Sequence, residues 1–189
     1  MPNFNDEHGD LFGGKDQLDI LLDRVKALEI KVNSIEKEIS LEKSVEIKKL
    51  HPNALIPQYQ KEGDAGFDFH ALIDNTLGYI VVEPKSQYTV PTGVSCSIPR
   101  GYEIQVRPRS GLAFKYQITV TNSPGTIDSG FLGQIMVIIY NLSNQPFTIK
   151  NGDRIAQGVL ARVFKAKFIE VEELEKTERG ENGFGSTGS

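Results

Sequence analysis

The chain has 189 residues, of which 39% are hydrophobic and 24% charged, as in ordinary soluble proteins. Its formal net charge of −4 gives no overall field for nucleic acid, so a polyanionic ligand must bind a local basic cluster. The lone Cys96 excludes a disulfide framework, no apolar run approaches the roughly 20 residues that span a bilayer, and the N-terminus is too acidic for a secretory signal. The sequence therefore predicts a cytoplasmic protein that binds neither nucleic acid nor membrane.

Composition divides the chain into four predicted regions. Residues 1–16 are polar and predict a flexible tail, and residues 17–43 carry a helical pattern. Residues 44–177 predict a β core, and residues 178–189 are so rich in Gly, Ser and Thr that they predict a mobile C-terminal arm.

The helical region has apolar residues at alternating spacings of three and four, which is the heptad pattern of a coiled coil. The a positions are Leu18, Val25, Val32 and Ile39, and the d positions are Leu21, Leu28 and Ile35. This pattern is an unusually short one, of about three heptads, so we expect it to need support from an oligomeric body.

Charged residues flank this seam at the g and e positions, which face each other in a parallel coiled coil. The pairs are Arg24 with Glu29, Lys31 with Glu36, and Glu38 with Lys43, and all are opposite in sign. This pattern favours a self-associating helix over one packed on its own domain, although binding to a second protein stays open. The a and d residues do not indicate the number of strands.

Strand signals begin near residue 45. Residues 102–107 alternate with period two, which places Arg107 on the polar face of a strand. Other strands are predicted near 45–50, 65–71, 78–82, 88–98, 117–121, 133–141 and 159–172, separated by Gly, Pro and Asn turns. Many short strands at even spacing predict an all-β sandwich, barrel or jelly roll.

The segment 122–134, NSPGTIDSGFLGQ, predicts two strand ends joined by a tight hairpin that holds the carboxylate of Asp128. An unperturbed aspartate is ionised at neutral pH and can accept a proton from water. Aspartate is also common in turns for purely structural reasons, so the segment alone does not decide between the two interpretations.

Four further segments stand out, although each is weak alone. AGFDF at 65–69, RPRSGLA at 107–113 and GDRIAQ at 152–157 are also compatible with a strand, a surface loop and a turn before a strand, whereas the glycines and hydroxyls of RGENGFGSTG at 179–188 suit anion binding. The last is spaced like a P-loop, but Ser186 stands where that motif needs lysine and no helix follows, so an ATPase or kinase of that type is disfavoured.

Together and in this order, the five segments resemble the trimeric dUTP pyrophosphatase (dUTPase) family from about residue 45 to 189. The resemblance implies a jelly-roll-like β subunit and a homotrimer whose active sites lie between subunits, each closed by a C-terminal arm. It implies hydrolysis of dUTP to dUMP and pyrophosphate, which limits uracil incorporation into DNA and supplies dUMP. The N-terminal heptad helix lies outside it.

The resemblance also implies residue roles. Asp128 matches the catalytic base, and Asp68 supports the site from behind. Asn122 matches the reader of the uracil edge, and Phe131 stands where the family usually has Tyr, against the deoxyribose. The implied substrate-binding residues are Arg109, Ser110, Gly111, Asn122, Gly125, Thr126, Ile127, Phe131, Gln157, Arg179, Phe184, Gly185, Ser186 and Thr187.

Magnesium is the expected cofactor, because the substrate carries several negative charges that need neutralising. The ion is expected on the triphosphate oxygens, with no direct protein ligand; the three scattered histidines lack metal-ligand spacing.

Two alternatives compete with this interpretation. The related dCTP deaminases need a glutamate on the strand after the hairpin, where this chain has Ile138, which cannot move protons. A non-catalytic interaction protein of the same fold is the second alternative, and turnover of dUTP distinguishes it from an enzyme.

Overall fold

The fold is taken from a computed structural model, which describes residues 17–39 and 42–181, without the side chains of 37–39. The chain forms two compact units, Met1–Glu46 and Ile47–Ser189.

Helix α1 spans Gln17–Ile39 within the first unit. It is uninterrupted because no Gly or Pro falls within it, and its described heptad residues are all exposed. Residues 42–43, which the sequence pattern placed in the helix, have no helical structure. No helix among the described residues is long and apolar enough to cross a membrane.

Short strands make up most of the regular structure after α1. They are β1 Glu46–Lys49, β2 Phe67–His70, β3 Tyr79–Val82, β4 Gln87–Pro91, β5 Val94–Ser97, β6 Tyr102–Arg107, β7 Ile118–Val120, β8 Gly125–Asp128, β9 Met136–Asn141, β10 Phe147–Lys150 and β11 Arg154–Arg162. A short helix α2, Ser110–Tyr116, follows β6. The prediction of an all-β core is confirmed.

The strands form a four-stranded antiparallel sheet in the order β2-β11-β6-β8 and a three-stranded antiparallel sheet in the order β4-β9-β7. Two-stranded sheets pair β1 with β5 and β3 with β10. Alternate strand residues point inward and fill the core with β-branched and aromatic side chains. The most deeply buried are Phe69, Val82, Val90, Val94, Ile104, Ile118, Ile135, Val137, Ile139 and Ile149.

The predicted pairing of the two strands that flank residues 122–134 is confirmed, because β7 and β9 pair antiparallel. The predicted tight turn between them is wrong. The connection contains a further strand, β8, which pairs with β6, so residues 121–124 cross from one sheet to another. Nothing local in the sequence marks β8 as a separate strand, because its pairing partner β6 is distant in the chain.

The predicted strand 88–98 is divided into β4 and β5 by Gly93. Its φ of +71° is a left-handed conformation that side chains rarely adopt, and an added Cβ would lie 2.8 Å from the Ala54 Cβ. The sequence pattern did not predict α2 or β10.

The predicted strand 159–172 is also misplaced, because β11 begins at Arg154 and ends at Arg162. The residues beyond keep an alternating apolar pattern but have no partner strand among the described residues. Their large side chains are exposed: Phe164 by 83%, Phe168 by 93%, Ile169 by 70%, Val171 by 56% and Leu174 by 86%.

Candidate active site

Three charged side chains form a cluster at one end of the four-stranded sheet. The buried carboxylate of Asp68 on β2 accepts a hydrogen bond from Arg109 Nε at 2.9 Å and another from Arg154 Nη1 at 3.1 Å. Arg109 Nη1 also donates to the Arg154 carbonyl at 3.2 Å. We call Asp68, Arg109 and Arg154 the arginine cluster, since one carboxylate fixes the direction of both guanidinium groups.

A β-bulge in β11 brings Arg154 into this cluster. In a regular strand, residues 154 and 157 would point to opposite faces. The pairing register with β2 shifts between Arg154 and Ala156. The extra residue at this shift puts Arg154 on the same face of β11 as Gln157, and Gln157 is the residue paired with Asp68. Gln157 Nε2 donates to the Pro108 carbonyl at 2.9 Å, which ties β11 to the loop before α2.

A cavity of about 530 Å³ opens beside the arginine cluster. Its lining includes Ser110 and Gly111, the exposed first residues of α2. The complete lining is Gln60, Lys61, Asp64, Ala65, Gly66, Asp68, Arg109, Ser110, Gly111, Arg154 and Gln157. The lining has three basic and two acidic residues, a formal surplus of one positive charge, so it suits an anion whose own charge is partly neutralised.

The second group of predicted residues lies on the segment 122–131. The Asn122 side chain lies against Gly125, where an added Cβ would be 2.9 Å from Asn122 Nδ2. The absence of a side chain at 125 therefore allows the Asn122 amide to approach the backbone closely. The Ser123–Pro124 peptide bond between them is cis.

Asp128 ends β8 and begins a tight turn, in which the Phe131 amide donates to the Asp128 carbonyl at 3.0 Å. Ile127 is buried and anchors the strand, while the Asp128 side chain is exposed. A cavity of about 240 Å³ lies here, lined by Thr126, Ile127, Asp128, Phe131, Gln134, Ile135 and Met136. The turn thus places Asp128 and Phe131 in the lining of one cavity.

Strand β6 separates the two groups. Along its polar face, Arg107 Nη2 donates to Gln105 Oε1 at 2.6 Å, and Gln105 Nε2 donates to Glu103 Oε1 at 2.7 Å. The predicted polar orientation of Arg107 is confirmed by its exposure.

The register along β6 gives the distance between the groups. Asp128 lies opposite Glu103 on one side of β6, and Gln157 lies opposite Arg107 on the other. Standard strand dimensions over this offset put the Asp128 and Gln157 backbones about 16 Å apart. Within one copy of the chain, the two cavities are separate and share no residue.

His70 follows Asp68 on β2 and is paired with Arg154 in the strand register. Burial lowers the pKa of His70, the Asp68 carboxylate raises it, and the charges of Arg154 and Arg109 lower it further. Its buried Nδ1 has no hydrogen-bond partner among the described residues. The imidazole is thus held in its neutral form beside the arginine cluster. Elsewhere in the core, burial raises the pKa of the Cys96 thiol.

The structure therefore brings five predicted residues, Asp68, Arg109, Ser110, Gly111 and Gln157, to one cavity and Thr126, Ile127, Asp128 and Phe131 to the other. Asn122 and Gly125 lie just before the second group. Arg179 is exposed near the end of the described chain, and Phe184, Gly185, Ser186 and Thr187 lie outside the described residues.

Sequence reasoning missed Arg154, Lys61 and Gly66. Arg154 lies in the GDRIAQ segment, but the bulge that turns it toward Asp68 leaves no mark in the residue pattern. Gly66 leaves room for Gln157, since an added Cβ would lie 2.5 Å from Gln157 Oε1. No group of three or more His, Cys, Asp or Glu residues in the described chain could hold a metal ion.

Residues 52–188 match the model of the dUTPase family. The chain is 53% identical over 144 residues to the deoxyuridine 5′-triphosphate nucleotidohydrolase of Nautilia profundicola, a match that covers 76% of this chain and 98% of that protein. It is 52% identical over 144 residues to the enzyme of the same name from Helicobacter pylori strain J99, covering 76% and 96%.

Solved structures show the same fold. The dUTPase of Staphylococcus bacteriophage 80alpha with dUPNHPP is similar with a TM-score of 0.66 and 28% identity, covering 78% of this chain and 100% of that one. A mutant dUTPase from phage phi11 of S. aureus, described with a structural Mg(II) ion, has a TM-score of 0.63 at 24% identity, covering 71% and 100%.

Proposed function

This chain belongs to the dUTPase family and hydrolyses dUTP to dUMP and pyrophosphate, and we propose that Asp128 activates the water that attacks the α-phosphate. The carboxylate takes a proton from this water as the water oxygen bonds to phosphorus. The bond from phosphorus to the bridging oxygen breaks, and pyrophosphate leaves. A well-placed general base contributes about 10²–10⁴-fold to such a rate.

One observation carries this proposal. Every described residue of the family pattern lines one of two cavities except Asn122, Gly125 and Arg179, with anion-binding groups at one cavity and an exposed carboxylate at the other. Asp128 suits a base because it is exposed, and no described residue donates a hydrogen bond to its carboxylate. Its lone pairs are thus available to water.

The arginine cluster is proposed to hold the phosphates. Asp68 fixes Arg109 and Arg154 before substrate binds, so the donors need no reorganisation as charge develops in the transition state. Ser110, Gly111 and Gln157 add donors from the same cavity. Asp68 itself is a positioning residue, since both of its oxygens accept hydrogen bonds from arginine.

The segment 122–131 is proposed to bind the nucleoside. The Asn122 amide reads the uracil edge, which presents a carbonyl where cytosine presents an amine. Phe131, 45% exposed, lies against the deoxyribose and excludes a 2′-hydroxyl. Arg179 and the segment 184–187 are proposed to close over the substrate.

Magnesium is proposed as the cofactor, carried by the substrate's phosphate oxygens. The formal surplus of one positive charge around the 530 Å³ cavity is small against a triphosphate, so these residues fit a nucleotide whose charge is already partly neutralised. When bound, the ion would supply that neutralisation and polarise the phosphoryl oxygens.

A homotrimer is proposed because trimers are typical of the family, and the separation of the two cavities within one copy supports an assembly of several copies. Their residues would meet if Asp128 of one copy faced the arginine cluster of another. The exposed apolar residues from Phe164 to Leu174 independently favour a partner surface for the C-terminal segment.

The all-β core is consistent with the jelly-roll-like subunit of the family, and the cytoplasmic location stays a prediction.

The test is pyrophosphate release from dUTP, dCTP and UTP, each with Mg²⁺ and with a chelator. We expect rapid release from dUTP only and a large loss with the chelator. Binding of dUTP without turnover would favour the interaction protein, and ammonia release from dCTP would favour the deaminase.

A further inference from the structure

Helix α1 exposes an apolar seam from Leu18 to Ile35. The a and d residues along this seam are 49–62% exposed: Leu18, Leu21, Val25, Leu28, Val32 and Ile35. A seam of this kind over residues 18–35, about 27 Å of helix, is costly to leave in water and needs a covering surface.

The charges beside the seam indicate what covers it. Arg24 and Lys31 have no acidic residue three or four positions away on their own helix, so they lack the usual intrahelical ion pairs. In a parallel coiled coil they face Glu29 and Glu36 of the neighbouring helix. The Glu38–Lys43 pair is not used here, because Lys43 lies beyond the end of α1. A second copy of α1 is therefore complementary in both its apolar seam and its charges.

The helix is an addition to the catalytic unit. The family model begins at residue 52, and the 144-residue matches cover 96% and 98% of the relatives from Helicobacter pylori J99 and Nautilia profundicola. Those relatives therefore have almost no chain left that could correspond to α1.

We propose that α1 joins the α1 helices of two further copies of this chain in a parallel, in-register, three-stranded coiled coil. The number three rests on the homotrimer proposed above. Subunits related by a rotation axis run in the same direction along it, which makes the coil parallel. Because each active site is shared between subunits, the coil keeps the sites assembled when the enzyme is dilute.

Disulfide trapping tests the geometry in the full-length chain. Leu21→Cys places a thiol at a d position, where copies in a parallel coil meet. Ile20→Cys, at the adjacent outward position with similar exposure, is the matched control. The native Cys96 is buried. We expect oxidation to link two chains of Leu21→Cys at least about tenfold faster, since the coil raises the effective thiol concentration. Equal rates for the two variants would overturn the proposal.

Charge reversal tests the pairing. The double variant Arg24→Glu with Lys31→Glu should reduce disulfide trapping through Leu21→Cys, because it places like charges opposite each other. Adding Glu29→Lys with Glu36→Lys should restore trapping, because each charge pair is again opposite in sign. Lys26→Glu with Lys37→Glu makes the same charge change away from the seam and should have less effect. Failure of the fourfold variant to recover would contradict the pairing.

Removal of residues 1–43 tests the consequence for the enzyme. The truncated chain should match full-length activity when concentrated. On dilution, its activity should fall to half at a protein concentration about 10²-fold higher than that for the full-length chain. Sedimentation should show its dissociation over the same range. Identical dilution curves would refute the role of the coil, whereas full-length protein that is inactive even when concentrated would refute the proposed function instead.

Discussion

The arginine cluster and the segment 122–131 hold their functional side chains in different ways. In the cluster, Asp68 has a side-chain exposure of 9% and both of its oxygens accept hydrogen bonds from arginine. In the segment, the Asp128 side chain is exposed, while its backbone pairs with Glu103 on β6 and closes a turn with Phe131. One carboxylate is fixed by its charge partners and the other by the backbone that carries it.

The way in which each side chain is held distinguishes Asp68 from Asp128, two carboxylates that the family pattern places in the same active site. A carboxylate whose two oxygens accept hydrogen bonds from guanidinium groups is a rigid anchor. A carboxylate without such donors is loosely held but available to water. This difference matches the proposed roles, in which Asp128 is the base and Asp68 positions the phosphate donors.

Asp128→Asn should have the largest effect, because it removes the proton acceptor while keeping the shape of the side chain. We expect kcat to fall about 10²–10⁴-fold, with dUTP affinity and thermal stability nearly unchanged. Steady-state kinetics and calorimetric titration with dUTP measure these quantities. Asp74→Asn, an exposed aspartate outside both cavities, is the matched control and should leave kcat unchanged. Normal turnover by Asp128→Asn would remove this residue from the mechanism.

Asp68→Ala should have a smaller effect of a different kind, since it frees both arginines without touching the base. Hydrogen bonds to charged groups are worth about 1.5–3 kcal/mol each, but the arginine side chains are 26% and 42% exposed, so we expect a loss of about 2 kcal/mol in the free energy of unfolding. We also expect kcat/KM to fall about 10–10²-fold, mostly through KM.

Asp68→Asn provides the graded comparison, because it keeps one acceptor oxygen and loses the charge. Chemical denaturation and kinetics should place it between the wild type and Asp68→Ala. If Asp68→Ala instead lowered kcat as much as Asp128→Asn with KM unchanged, the distinction between anchor and base would be wrong.

The same contrast explains how much the sequence could predict. The inward and outward faces of β6 followed directly from strand alternation, and so did the exposure of Arg107. Local patterns of this kind are set by each residue's immediate neighbours, so a sequence displays them. The residues around Asp128 were also found, because their identities and order match a known pattern.

The features that the sequence did not predict depend on pairing between residues far apart in the chain. Arg154 joins Asp68 only because a bulge slips the β11 register, and nothing in GDRIAQ marks the slip. Strand β8 pairs with β6, its adjacent strand in the four-stranded sheet, rather than with β7 or β9, which flank it in the sequence. In residues 163–172 the alternation predicted a strand, but this segment has no strand structure and pairs with no strand of the described chain.

Phe131→Ala tests the segment 122–131, where the shape of a side chain rather than its charge is proposed to select the nucleotide. Loss of the ring would open the space that a ribose 2′-hydroxyl needs, so the preference for dUTP over UTP should fall about tenfold. The ratio of kcat/KM for the two nucleotides measures this preference. Phe131→Tyr keeps the ring and should keep the ratio, and an unchanged ratio in Phe131→Ala would assign discrimination to other residues.

The smallest effect is expected on the pH dependence of stability, and it concerns His70, which lies beside the arginine cluster. Burial lowers the pKa of His70 below its ordinary value of 6.5, so the unfolded chain takes up a proton first as the pH falls. The contribution of neutral His70 is fully present above this value and declines below it. Denaturant unfolding at about pH 7.5 and about pH 5.5 should show a smaller loss of stability for His70→Asn than for the wild type. Equal losses would mean that His70 takes up its proton alike in the folded and unfolded chain, which would contradict the lowering of its pKa by burial.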